Sequence, residues 1–189
     1  MYDAPYRYIP PSSSNGDNFQ LLRQKIDWQQ ESLMMFGKEI LVPRLVSFIA
    51  DDGLQYAYSG KTHFGYGWPD WMKVFKHRAE VFAGQSYNSV LANLYRHGDD
   101  YMGWHSDNER ELGPAPVVVT YSVGAERDFL LRLKHNHKTK TSIKLENESW
   151  LIMSASAQVL WQHSLPVRKK VTEERISLTF RQILREASH

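Results

Sequence analysis

Residues 103–114 read GWHSDNERELGP, and within them His105 and Asp107 stand one residue apart. Side chains alternate faces along extended backbone, so these two project to one side while Ser106 points away. An imidazole and a carboxylate on one face form two adjacent corners of a metal site. Two histidines and one carboxylate make the facial triad of non-haem Fe(II) oxygenases. Taken alone, H-x-D is a weak signal in a chain with 8 histidines, and a surface histidine beside a solvated aspartate is the plain alternative. The third ligand must come from elsewhere. His163, in LWQHSLPVRKK, closes an apolar strand and is the best-placed candidate. His97, His135 and His137 sit beside turn residues, and His63 and His77 belong to the N-terminal region.

A second pattern lies near the C-terminus, in RISLTFR (175–181). Odd positions carry Arg175, Ser177, Thr179 and Arg181, and even positions carry Ile176, Leu178 and Phe180. A strand with this alternation turns one face to a core and sets two guanidiniums on the other. Inward arginines need anions, because unpaired buried charge is costly, and guanidinium suits bidentate carboxylate binding. Structural ion pairs would also meet that need. In LANLY (91–95), Asn93 and Tyr95 share a strand face as neutral donors. A metal site, two arginines and an Asn/Tyr pair together suggest a small dicarboxylate held beside iron.

Strands must position these residues. From Tyr87 onward, short strand-like segments follow at even spacing: NSVLANLYR, PVVVTYSVG, DFLLRL, TSIKL, SWLIMS, AQVLWQHSL and RISLTFRQI. Such a run predicts a sandwich, jelly roll or barrel. Ahead of it, Asp17 or Asn18 caps a predicted helix carrying Phe19, Leu22, Ile26 and Leu33, which MMFGK (34–38) closes. PRLVSFIA (43–50) has strand character, QYAYSGKTHFGYGWP (55–69) is an aromatic, glycine-punctuated loop, and a second helix covers about 70–83, ending at Gly84. Residues 1–17 read as a flexible leader and 18–189 as a single domain, with no internal repeat or linker.

The 189 residues suit one domain, and 42% hydrophobic content fills its core. A net charge of +2 permits a nucleic-acid partner without demanding one. Cysteine is absent, which excludes disulfides and leaves His and carboxylate to hold any metal. The N-terminus has neither the basic nor the apolar stretch of a secretory signal, and no segment approaches 18 apolar residues. The expectation is a monomer without membrane contact and an intracellular home, cytoplasmic in a bacterium or nuclear in a eukaryote.

These motifs resemble those of the AlkB-type Fe(II)/2-oxoglutarate dioxygenases, from about residue 34 to 183. N-x-Y (Asn93, Tyr95), H-x-D (His105, Asp107), the distant His163 and R-x5-R (Arg175, Arg181) stand in that family's order. The resemblance implies a mainly β fold with flanking helices: a double-stranded β-helix, or jelly roll, over about 86–183, with an N-terminal nucleotide-recognition lid over about 34–85. It implies Fe(II) on His105, Asp107 and His163, with 2-oxoglutarate and O2 as cosubstrates. Arg175, Asn93 and Tyr95 would hold 2-oxoglutarate, and Arg181 would sit near Asp107. Ser177 stands where the family usually has Asn, so the contact to the cosubstrate's metal-side carboxylate is loosened or passes through water.

Similarity is greatest to the branch that repairs double-stranded DNA, in NERELGP, SVGAERDF, HSLPVRKKV and MFGK. It implies oxidative demethylation of N-alkylated bases such as 1-methyladenine and 3-methylcytosine, releasing formaldehyde, succinate and CO2. Met35 and Phe36 would form a finger filling the gap left by a flipped base. Tyr56, Tyr58 and Glu109 would bind that base, and Lys38, Arg44, Arg168, Lys169 and Lys170 are candidate phosphate contacts. The partner is then alkylated DNA, single- or double-stranded, with RNA the alternative. A non-catalytic jelly-roll binding module is the rival from another class, and it leaves the triad and the inward arginines unexplained.

Overall fold

The structure, a computed structural model, describes residues 5–12, 17–35, 37–58 and 61–184, the side chains of Met35 and Tyr58 excepted. Strand β1 (Tyr6–Ile9) and helix α1 (Asn18–Lys25) precede a hairpin of β2 (Gln29–Met35) and β3 (Lys38–Ala50). A small hairpin, β4 (Gln55–Tyr58) with β5 (Lys61–Phe64), leads to helix α2 (Asp70–Ala83). Then come β6 (Ser89–Tyr95), β7 (Met102–His105), β8 (Val118–Gly124), β9 (Arg127–Leu133), β10 (Lys140–Leu145) and β11 (Ser149–Met153). A short 3-10 helix (Arg110–Leu112) lies between β7 and β8, and helix α3 (Ala155–Leu160), β12 (Trp161–Leu165) and β13 (Arg175–Arg181) follow β11.

Two antiparallel sheets face each other in a jelly roll. The larger runs β1-β11-β8-β13-β6-β3-β2 and the smaller β10-β9-β12-β7, with β4-β5 as a separate ribbon. Helices α1 and α2 cover the outer face of the large sheet, where Leu22, Met72, Phe75 and Ala79 pack on Leu94, Tyr121, Ile176, Leu178 and Phe180. Between the sheets lies a second core of Val118, Phe129, Leu131, Leu151, Met153 and Trp161. Strands β6 and β13 are therefore buried on both faces. Burial on both faces explains how β13 carries an apolar row and a polar row while exposing neither.

Several elements depart from the sequence reading. Helix α1 starts where expected, with the Asp17 carboxylate accepting the Gln20 N–H at 3.0 Å, but it ends at Lys25. The backbone turns extended at Ile26, and Leu33 lies in β2, opposite Ile40. Cross-strand pairing of the hairpin overrides the helical spacing. Residues 157–160, expected as strand, belong to α3, whose Ser154 hydroxyl accepts the Ala157 N–H. A short apolar run fits either state, and Ala155 and Ala157 of α3 favour the helix. The expected loop at 55–69 contains the β4-β5 hairpin, and part of the expected leader, Tyr6–Ile9, is an edge strand paired with β11.

The loop from β6 to β7 is fastened through Gly98. Its N–H donates to Val171 O and its carbonyl accepts the Arg168 N–H, each at 2.7 Å. A Cβ placed on Gly98 would stand 1.8 Å from Arg168 O. Gly98→Ala should therefore cost about 2 kcal/mol or more in urea unfolding. Gly103→Ala, where a Cβ meets nothing within 4 Å, should stay within about 0.5 kcal/mol of the wild type.

Candidate active site

β7 and β12 are antiparallel neighbours, with His105 directly opposite His163. Their Nε2 atoms stand 3.1 Å apart. The chain leaves β7 after His105, so Asp107 lies in the following bend and not on the strand itself. It still turns inward, its Oδ2 3.6 Å from His163 Nε2. One ligand atom from each of the three residues lies within 4.8 Å of the others. The opposed strands deliver both histidines, and the bend delivers the carboxylate to the same point.

The donor atoms are prepared for a cation. His105 Nδ1 lies 2.9 Å from Gly103 O, and a carbonyl only accepts, so Nδ1 carries the proton and Nε2 offers its lone pair. Phe129 stacks on the His163 ring at 5.3 Å and 25°. Burial, aided by His105, pushes the His163 imidazole down to about 3, so it is neutral at physiological pH. Burial alone would raise the Asp107 carboxyl, but Arg181 and the two histidines hold it well below the usual carboxylate range. Arg181 binds Asp107 Oδ1 at 2.6 Å, leaving buried Oδ2 without a hydrogen-bond partner. Two imidazole nitrogens and a bare carboxylate oxygen aimed at one point fit a divalent metal of the Fe(II) type.

Beside the triad, the polar row of β13 faces a cavity. Arg175, Ser177, Thr179 and Arg181 line it with Asn93, Tyr95 and the three metal-site residues. Ser177 stands between Asn93 on β6 and Ser122 on β8. Arg175 is 2% exposed. Its guanidinium lies 5.3 Å from the Tyr95 ring centroid and donates to Ser122 Oγ at 2.8 Å, while Nε has no hydrogen-bond partner. Burial lowers it to about 10. Among the described residues no carboxylate pairs with it, so the cavity holds a built-in positive charge next to the metal site.

Other sequence-predicted residues fall into different settings. Arg44, expected as a phosphate contact, is 5% exposed and its Nε donates to Asn93 Oδ1 at 2.9 Å. It buttresses the cavity from within, where a phosphate chain has no access. Tyr56 is 1% exposed and stacked on Phe48 in a small core with Leu54, Leu112 and Ile183. It does not line the cavity. Glu109 is half-buried, with Oε2 lacking a hydrogen-bond partner, and burial together with Asp107 raises its carboxyl. Arg168 is half-exposed and pairs with Asp128 at 2.6 Å, while Lys38, Lys169 and Lys170 are exposed. Phe36 and the side chains of Met35 and Tyr58 lie outside the described residues. Ser122 and Gln158, whose side chains touch Arg175 and the Asp107 backbone, escaped the sequence reading. Only strand register reveals the first and only folding the second.

The sequence pattern of the 2OG-Fe(II) oxygenase superfamily matches residues 6–181. The chain belongs to that superfamily. DNA oxidative demethylase ALKBH2 of Homo sapiens is 35% identical over 192 residues, spanning 96% of this chain and 74% of that protein. ALKBH2 of Arabidopsis thaliana is 32% identical, spanning 88% of this chain and 61% of its own length. Alpha-ketoglutarate-dependent dioxygenase alkB homolog 3 of Homo sapiens is 33% identical, spanning 86% and 59%. The solved structure of OsALKBH1 superposes with a TM-score of 0.67 at 15% identity, covering 96% of this chain and all of that one. A 2OG-Fe(II) oxygenase-family oxidoreductase from Burkholderia pseudomallei gives 0.62 at 13%, covering 97% and 89%. The chain is thus an AlkB-type oxygenase with a jelly-roll fold, and its cofactor and cosubstrates are Fe(II), 2-oxoglutarate and O2.

The depressed His163 gives the metal-free protein a defined acid response. An unfolded histidine titrates near about 6.5, above its folded value. Stability is therefore full above that pH and is lost as the pH falls toward the folded value. Urea unfolding in chelator should show stability declining from about pH 6.5 toward about 3. His163→Gln should flatten that slope.

Proposed function

We propose that this enzyme is a DNA repair dioxygenase that removes methyl groups from alkylated base nitrogens, as in 1-methyladenine and 3-methylcytosine. Formaldehyde, succinate and CO2 are the expected co-products. The observation that carries the reading is Arg175, a buried cation that pairs with no carboxylate among the described residues, set in one cavity with the His105–Asp107–His163 cluster. That arrangement suits a dicarboxylate anchored at one end by Arg175 and reaching the metal with the other. DNA as the substrate rests on the relatives named DNA oxidative demethylase.

Each residue has a task in this scheme. His105, Asp107 and His163 would hold Fe(II), which with 2-oxoglutarate and O2 supplies the oxidising power. Arg175, with Ser122, Tyr95 and Asn93, would bind and orient the cosubstrate. Ser177 would leave room for a water at its metal-side carboxylate. Arg181 keeps Asp107 ionised. Glu109, an acceptor lacking a partner at the edge of the metal site, would receive the exocyclic amine of an extruded base, and a cationic lesion would favour its ionised form. Met34, Ile40 and Leu41 are 71%, 46% and 65% exposed on the β2-β3 hairpin. Apolar side chains held out to solvent there suit insertion into a base stack beside Met35 and Phe36. Lys38, Lys169 and Lys170 remain available to phosphates.

Mass spectrometry of oligonucleotides carrying 3-methylcytosine tests the reading, with Fe(II), 2-oxoglutarate and ascorbate present. Replacement of the methyl group by hydrogen should require both the cosubstrate and His105, with a His105→Ala variant inactive. Arg175→Met should raise KM for 2-oxoglutarate about 30-fold or more, the scale of losing a buried charge contact. Turnover of 2-oxoglutarate with methylated RNA but not with DNA of either strandedness would move the substrate to RNA. No turnover by metal-loaded protein would overturn the enzymatic role.

A further inference from the structure

Behind the metal site, α3 and the start of β12 grip the bend that carries Asp107. The Asp107 backbone N–H donates to Gln158 Oε1 at 3.0 Å, and Ser106 Oγ donates to Trp161 O at 2.8 Å. A backbone N–H only donates, so the amide oxygen of Gln158 must face Asp107. Gln158 is completely buried, and its Nε2 has no hydrogen-bond partner among the described residues. The Gln158 backbone carbonyl accepts from Lys134 Nζ at 2.7 Å, and Leu160 O accepts the Lys134 N–H at 2.9 Å, which tie α3 to the end of β9.

A glutamine with half its amide unsatisfied is an expensive core residue, since an apolar side chain of similar length would pack there without stranding a donor. Its retained use is the bond to Asp107. We infer that Gln158 is a positioning residue for the metal ligand Asp107, forming with Ser106 a clip that couples the Asp107 bend to the strand bearing His163. The Gln158 bond fixes the peptide plane at Asp107, from which the carboxylate directs Oδ1 to Arg181 and Oδ2 toward the imidazoles. The Ser106 bond fixes the same bend to Trp161, two residues ahead of His163 on β12. Neither residue contacts the metal position directly. Groups of this kind, one shell behind the ligands, typically alter metal affinity 10- to 100-fold (roughly) when removed.

The inference rests on the metal reading of the triad, and Co(II) binding separates the two. Wild type, Gln158→Met, Ser106→Ala and Asp107→Ala are titrated with Co(II), recording affinity and the visible absorption of the bound ion. Thermal melting without metal is measured alongside. Gln158→Met keeps length and removes the acceptor. It should weaken Co(II) binding about 10-fold or more and alter the spectrum, beyond any shift in metal-free melting. Ser106→Ala, on a half-buried side chain, should act in the same direction and decides the matter if Gln158→Met fails to fold. Wild-type affinity and spectrum in the folded variants, with binding lost in Asp107→Ala, would overturn the clip and leave the metal site standing. A wild-type protein that does not bind Co(II) would overturn both.

Discussion

An aspartate shut away from water must be kept ionised, and the Arg181–Asp107 pair does this. Asp107 is 1% exposed and its partner 6%. A pair buried so deeply adds little net stability, because desolvation offsets most of the attraction. Its contribution is to fix the charge state and direction of one carboxylate oxygen, leaving the other for a metal. The rest of the site is arranged around that arrangement: β12 brings His163, β7 brings His105, and β13 brings Arg181 together with the second guanidinium, Arg175.

The two arginines on β13 have opposite circumstances although they share one strand face. Arg181 is neutralised by a carboxylate of the protein, whereas Arg175 meets the Ser122 hydroxyl and the Tyr95 ring and, among the described residues, no carboxylate. The pocket is thereby polarised along the strand, with a satisfied charge at the metal end and an unsatisfied one at the far end. An anion with two acidic ends can lie along that axis in one direction.

Local patterns made the centre of the site legible in the sequence. His105 and Asp107 are near neighbours, and the alternation in RISLTFR needs no knowledge of the fold. His163 followed from strand position, while the run of short strands left sandwich, jelly roll and barrel open until the family resemblance narrowed them to the jelly roll. What the sequence hid depends on distant partners. Arg44 looks like a surface cation until β3 is laid against β6, 49 residues away, where it meets Asn93. Tyr56 looks available for stacking until Phe48 and Leu112 close over it. Residues 157–160 read as strand because their apolar run continues into β12, although Ser154 supplies a helix cap just ahead. Gln158 has no motif at all, and its role exists only once α3 rests behind the Asp107 bend.

The opposed histidines also set an order of events. His105 and His163 are 58 residues apart in the chain, and they meet only when β12 docks between β9 and β7. Long-range closures of this sort come late in folding, after the loop entropy has been spent. The metal site is therefore complete only once that long-range pairing has formed. A metal held between the two histidines binds the closed sheet and not the open chain, so by mass action it adds to the stability of the native state.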